Sequence, residues 1–282
     1  MSTEVHADSV AGFYDSHPIN EEQILGALRA RGVPLEAVTE DDLKAFDQDH
    51  YGGVEALETL ARRAGIAREH HVLDVCSGMG GPARYLAHWL GCRVTGLDLT
   101  ESRFRGALRL TRLAKLEHLV DYRLGNALAM PFPAASFDVV VAQESWAHIP
   151  DKQRLVAESV RVLRPDGVLA FTDIVRRDEL SDAAARRLRD GMTFIEIESA
   201  LGYVRLLGKQ GCAAARVEDL SDEWTVILQR RLEMYRSLKD ATIAKFGRAR
   251  YETYDDAYRF FVSLYEKKVL GGARIVAHKR AR

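Results

Sequence analysis

Residues 72–81 read VLDVCSGMGG, a short apolar run with an acid inside it, Asp74, that ends in a turn carrying three glycines. The run has the length and β-branched content of a buried strand. Gly78, Gly80 and Gly81 let the backbone turn sharply and approach a ligand with no Cβ in the way. The next residues, PARYLAHWL, have helical spacing. Strand, glycine turn and helix in this order form the opening unit of a parallel sheet, where ligands bind beyond the carboxyl ends of the strands.

Working outward, the same alternation continues. CRVTGLDL is a second strand ending in an acid, followed by the helical TESRFRGALRLTRLAKL. VDYRLGNA is a third strand and FDVVVAQES a fourth. DKQRLVAESVRVLRPDG reads as a helix closed by Pro and Gly, and VLAFTDIV as a fifth strand. Apolar strands separated by helices predict a parallel sheet buried on both faces and joined by right-handed crossovers. Upstream, INEEQILGALRARG places Ile19, Ile24, Leu25 and Leu28 at helical spacing, GVEALETLARRAG is a second helix, and FDQDHYGG is the turn between them. Downstream, residues 176–203 read as charged helices, CAAARVEDLS as a sixth strand, DEWTVILQRRLEMYRSL as a helix and ARIVAHK as a last strand, with HKRAR a solvated tail. The expected division is a helical N-terminal lid over 1–69, a cofactor-binding core over 70–175, and an acceptor-binding cap that also completes the sheet over 176–282.

Composition sets the class. The chain has 282 residues, 40 Lys+Arg against 41 Asp+Glu, 47% hydrophobic and 29% charged residues. This is enough apolar surface for a large folded core without a disulfide or metal staple. The balanced charge argues against nucleic acid or an anionic membrane as partner. Three widely spaced cysteines, Cys76, Cys92 and Cys212, form no CxxC pair and no metal-ligand spacing, which fits a reducing compartment. The first twenty residues lack a basic segment followed by an apolar one, and no run approaches the ~18 residues that span a bilayer. A cytoplasmic enzyme without a metal is the expectation.

The glycine turn by itself suits either a dinucleotide or a nucleoside cofactor. A dinucleotide site prefers G-x-G-x-x-G opening onto a helix, because the pyrophosphate rests on the helix N-terminus. Here the loop is G-M-G-G-P, and Asp74 stands four residues before its first glycine. An acid there would repel a pyrophosphate and suits a ligand carrying an amino group. Asp98, twenty-four residues further on, ends the second strand where a carboxylate can accept both ribose hydroxyls. Acid, glycine loop, strand and acid together fit adenosine with a charged amino-acid tail.

VLDVCSGMGGPARYLA, VTGLDLT, GNALAMPF, FDVVVAQESWAHIPDK and RVLRPDGVLAFTDI resemble, in order, the successive motifs of class I S-adenosylmethionine-dependent methyltransferases. The resemblance covers roughly residues 70–175 and implies a Rossmann-like α/β fold, a mostly parallel sheet with helices on both faces. It implies that Gly78 and Gly80 line the methionine part of the cofactor and that Gln143 contacts it. Asp98 would hold the ribose, Leu99 flank the adenine, and Asn126 and Ala127 meet its edge. Many members have Asp where this chain has Asn126, whose carbonyl can still accept from the adenine amino group. QESWAHIPDK, TDI, DLSDEW and the N-terminal FYDSH resemble the small-molecule branch, which includes sarcosine/dimethylglycine and phosphoethanolamine N-methyltransferases and sugar O-methyltransferases.

On the acceptor side, methyl transfer needs an aligned nucleophile, exclusion of water and a place for one proton. His148, just past the fourth strand at the carboxyl edge, is the candidate base. By the same resemblance its partner is Asp173, at the end of the fifth strand, as in the sugar enzymes, or Tyr14, as in the phosphoethanolamine enzymes. Trp146 would wall the acceptor pocket and attract a cation to its face, or pack the lid onto the sheet. Tyr51, followed by Gly52 and Gly53, would close over the cofactor or simply cap a helix. The aromatics of the last third read mostly as cap core, with one or two in the pocket. N-methylation of a small amine is slightly favoured over O-methylation with His148 as base. A nucleotide-dependent oxidoreductase and an RNA-directed enzyme are the more distant readings.

Overall fold

The five apolar runs become five adjacent parallel strands in the computed structural model, which describes residues 12, 14, 20–213 and 215–281. They are β1 (His71–Val75), β2 (Arg93–Asp98), β3 (Val120–Leu124), β4 (Phe137–Gln143) and β5 (Leu163–Arg176); β6 (Arg216–Asp219) and β7 (Leu270–His278) follow. The order in the sheet is β3-β2-β1-β4-β5-β7-β6. β7 runs antiparallel between β5 and β6, pairing Ala170 with Val276 on one side and Val217 with Ile275 on the other.

Alternation along each strand sends side chains to both faces, and both faces are covered. Leu73, Val75, Val140 and Ala142 pack on one side with Leu155, Val156 and Tyr203. Those partners come from α6 (Lys152–Val162) and α8 (Ala200–Lys209). On the other side Val72, Val139 and Val141 meet α3 (Gly53–Ala64), α4 (Gly81–Leu90) and α5 (Glu101–Leu113). The helix expected within the lid, α3, thus buries Leu57, Leu60 and Ala61 against the sheet.

The remaining N-terminal elements, α1 (Glu21–Ala30) and the short α2 (Glu40–Leu43), pack Ile24, Leu28 and Leu43 on Met79 and Leu110. Asn20 caps α1 by accepting the Gln23 amide, and Thr39 and Asp42 form a capping box on α2. Ile19, most of FYDSH and the rest of the first nineteen positions lie outside the described residues, apart from Gly12 and Tyr14. The cap is built from α7 (Asp182–Met192), α9 (Ser221–Ser237), α10 (Lys239–Phe246) and α11 (Arg248–Glu266). Its core holds Leu188, Trp224, Leu228, Phe261 and Tyr265.

Two boundaries differ from the sequence reading. The helix that begins at Lys152 stops at Val162, and β5 begins at Leu163, opposite Phe137. Its register then shifts, with Asp166 in the left-handed region, before Val168 pairs with Val139. At the C-terminal end β7 includes His278, and the Lys279 ammonium donates to the carbonyls of Val160 and Leu163, so the tail begins later than expected. Among the described residues no helix is long and apolar enough to cross a membrane.

Candidate active site

The sheet order reverses between β1 and β4, which opens a crevice at the carboxyl edge. β1 delivers Asp74 there, and Cys76, Gly78 and Gly80 all take left-handed backbone conformations to make the turn. At Gly80 a Cβ would collide with the Tyr122 phenol. Gly80 therefore serves the turn and the packing behind it, while Gly78 and Met79 face the crevice. The Asp98 carboxylate accepts the Gly78 amide at 2.8 Å through Oδ2 and the Thr100 amide at 2.8 Å through Oδ1. One acid thus joins the end of β2 to the glycine loop.

The loop is clamped from the lid. Buried Arg84 donates to the Met79 carbonyl at 2.8 Å, to Glu40 at 3.1 Å and to Asp47. Burial pushes Glu40 up to about 8. Gly81 has no side chain because the Asp47 carbonyl occupies that space. This triad carries residues 47–51 over the crevice.

A continuous cavity of about 760 Å³ results. Asp74, Gly78, Asp98, Leu99, Asn126, Ala127 and Gln143 line it from the sheet edge, and Tyr51 lines it from the side of the cap. Burial, with the charge of Asp98 nearby, raises Asp74 from 3.8 to about 7. Its Oδ2 and both amide atoms of Gln143 are buried with no hydrogen-bond partner among the described residues. Such atoms are costly unless a ligand meets them. An acid oxygen and an amide facing one space fit the amino and carboxylate groups of an amino-acid tail, and Asp98 beside them fits a sugar diol.

His148 lies on the single 3-10 turn after β4, buried against Phe194. Its Nδ1 is 3.0 Å from Thr193 Oγ1 and 3.2 Å from the Thr193 carbonyl. That hydroxyl already donates to the Met192 carbonyl, so Nδ1–H is the donor and Nε2 is left as an acceptor. Tyr14 Oη stands 3.1 Å from Nε2. Burial, with Asp49 and Asp98 nearby, pushes the Tyr14 phenol well above its ordinary range, so it remains protonated and donates. Arg103 fixes Tyr14 by donating to its carbonyl at 2.9 Å, with the guanidinium 5.3 Å from the ring centre.

The predicted His148–Asp173 pair does not form. Asp173 sits inside the protein, outside the cavity lining, where it accepts the Tyr203 hydroxyl at 2.6 Å. Burial raises it to about 6 against the pull of Lys152. The imidazole is oriented by Thr193 instead, because the 3-10 turn faces His148 toward the cap and away from β5. Trp146 is likewise not a pocket wall. It is 1% exposed, stacks on Phe171 at 4.1 Å and meets Tyr203 at 5.8 Å.

Four residues of the site escape sequence reasoning. Thr193 is the left-handed cap of α7, in a segment with no motif. Glu144 has φ +46 and accepts the Tyr51 amide and the Thr172 hydroxyl, each at 2.6 Å, its carboxyl raised by burial to about 7. Arg103 has only its position in the first turn of α5 to mark it. Arg231 of α9 donates to the carbonyls of Asp49 and His50 and lies 4.8 Å from the Tyr51 ring centre. Tyr51 is held between that guanidinium and Trp224, and it lines the cavity. Of the aromatics on the cap helices, Tyr235, Phe246, Tyr254 and Tyr258 reach the cavity, more than the one or two expected.

Residues 73–171 match the family described as methyltransferase domain. The chain is 32% identical over 191 residues to the glycine/sarcosine/dimethylglycine N-methyltransferase of Actinopolyspora halophila, covering 68% of this chain and 34% of that protein. It is 33% identical over 185 residues to the methyltransferase GfsG of Streptomyces halstedii, covering 64% and 66%. The fold matches the Haemonchus contortus phosphoethanolamine N-methyltransferase 2 solved with S-adenosyl-L-methionine, with TM-score 0.76 and 20% identity over 96% of this chain and 60% of that one.

Proposed function

We propose that this chain, which carries a methyltransferase domain across residues 73–171, transfers the methyl group of S-adenosylmethionine to a small-molecule acceptor, with an amine nitrogen as the favoured nucleophile. The observation that carries this reading is one cavity with Asp74, Asp98 and the unpartnered Gln143 amide toward the sheet and the Tyr14–His148 pair among its other lining residues. The preference for nitrogen draws on the named activity of the Actinopolyspora relative.

When bound, the cofactor supplies a methyl group on a cationic sulfur. Asp98 would take the ribose hydroxyls, Asp74 and Gln143 the amino-acid end, and Leu99, Asn126 and Ala127 the adenine. The acceptor is aligned by the cavity walls, which also exclude water. The proton it releases passes to the Tyr14–His148 pair and rests on His148 Nε2, where the Thr193 oxygens stabilise the imidazolium through Nδ1–H. Asp173 braces Tyr203 and takes no proton from the acceptor. An acceptor hydroxyl is served by the same acceptor nitrogen, so O-methylation remains the second reading. A cytoplasmic setting accompanies both, in keeping with three free cysteines.

Calorimetry with S-adenosylhomocysteine and with NAD tests the cofactor. A screen of amines, amino acids and glycosides for S-adenosylhomocysteine release, with mass spectrometry of the product, tests the acceptor. Binding of NAD without binding of S-adenosylhomocysteine would remove the proposal.

A further inference from the structure

We propose that the methyl acceptor is an amphipathic molecule whose apolar body is larger than an amino acid and lies along the cap stripe of Met234, Tyr235, Leu238, Thr242 and Phe246. This rests on the methyl-transfer reading above. Met234 and Tyr235 are neighbours at the end of α9, and Leu238, Thr242 and Phe246 follow at intervals of three or four residues into α10, so the row runs along one side of that helical arm. All five line the cavity.

Two observations separate this stripe from an ordinary core face. The first three turns of α9 bury Trp224, Leu228 and Leu232 in the cap. Beyond them burial ceases: Met234 is 59% and Leu238 53% exposed, and α10 contains no buried residue. The arm therefore presents apolar side chains to the cavity that the protein itself leaves uncovered. Tyr235 is held rigidly in place, stacked on Tyr251 at 5.1 Å and against Tyr254 at 4.8 Å, so the seat is preformed.

The cavity lining also includes the apolar Ile174, Met192 and Phe194, the last of them packed against His148. Of the basic residues lining the cavity, Arg103 and Arg231 already donate to backbone carbonyls, and Lys245 holds its ammonium 5.1 Å from the Phe246 ring centre. The stripe thus offers apolar contact to a hydrocarbon body, with one cation at its far end for a polar group. The exposed Glu233, Arg236, Lys239 and Asp240 interrupt the stripe along the arm and leave only a narrow apolar row, too little for a stable protein interface. Continuity with the Tyr14–His148 pair selects the acceptor as the occupant.

N-alkylethanolamines from ethyl to decyl test this, since each offers both an amine and a hydroxyl. Their dissociation constants are measured by calorimetry with S-adenosylhomocysteine present, alongside turnover. The expected result is a fall in dissociation constant of about fourfold per added methylene until the stripe is covered. Leu238→Asp and, separately, Met234→Ser should flatten that slope to below about twofold while leaving S-adenosylhomocysteine affinity unchanged. Binding independent of chain length, with S-adenosylhomocysteine still bound, overturns the inference and spares the methyl-transfer reading. Failure to bind S-adenosylhomocysteine removes both. A dimer seen by sedimentation that Leu238→Asp dissolves assigns the stripe to a second copy and also overturns the inference.

Discussion

The Tyr14 hydroxyl lies 3.1 Å from His148 Nε2 although 134 residues separate the two along the chain. The contact joins the N-terminal segment to the end of β4. His148→Ala should therefore lower turnover by about 10²–10⁴-fold, the usual range for a lost acid–base group. Tyr14→Phe keeps the ring near Arg103 and removes one hydrogen bond, for a smaller loss of about tenfold. S-adenosylhomocysteine affinity, measured in parallel, should stay unchanged in both, and an unchanged turnover in His148→Ala would exclude the assigned base.

Thr193→Val removes the hydroxyl that accepts from His148 Nδ1 and leaves the backbone carbonyl. The imidazolium formed during transfer loses one of its two oxygens. The pH–rate profile should shift its acidic limb to lower pH, with KM for the acceptor nearly constant. A uniform drop at all pH values would instead indicate a structural effect.

Asp74 has its carboxyl raised to about 7, while its unfolded value stays near 4. Between these limits the unfolded chain has released a proton that the folded protein retains. Without ligand, stability therefore falls as pH rises from about 4 to about 7, by up to about 1.4 kcal/mol per pH unit for this group. Asp74→Asn should remove that share of the slope in denaturant titrations at pH 5, 6 and 7. Binding a ligand with a cationic amino group should expel the proton, so calorimetric enthalpies below pH 7 should vary with the ionisation enthalpy of the buffer. Identical enthalpies in phosphate and Tris would contradict this.

Trp146→Ala should destabilise the protein by about 3–5 kcal/mol, the cost of emptying an aromatic core site. Trp146→Phe should preserve the acceptor KM, since the indole stacks on Phe171 and does not line the cavity. A large KM change in a stably folded Trp146→Phe would restore the residue to the pocket.

The glycine loop, Asp98 and the first five strands were legible because buried parallel strands are apolar throughout, and because a turn against a ligand demands glycine. β7 was visible only from Ala273. Its Gly271 and Gly272 look like a turn, yet they are strand residues whose missing Cβ atoms leave room for Ser221 and Trp224. The His148 partner was ambiguous for a different reason. Asp173 and Tyr14 both suit the chemistry, and only the direction of the 3-10 turn decides between them. Thr193 carries no local pattern, since its role arises from where α7 happens to end. Trp146 misled because adjacency to His148 in sequence says nothing about which side of a single turn each residue takes.

The placement of β7 has a consequence for how the molecule is made. It lies between β5 and β6, so the cofactor half borrows an interior strand from residues 270–278. About ninety residues, from 177 to 269, most of them cap, must leave the ribosome before that gap can close. At ~5–20 residues per second, β5 waits for seconds with its free edge exposed. A pause in translation after Arg176, or a stop placed before Leu270, should therefore yield a nascent chain that recruits chaperones, even with every predicted cofactor ligand already synthesised.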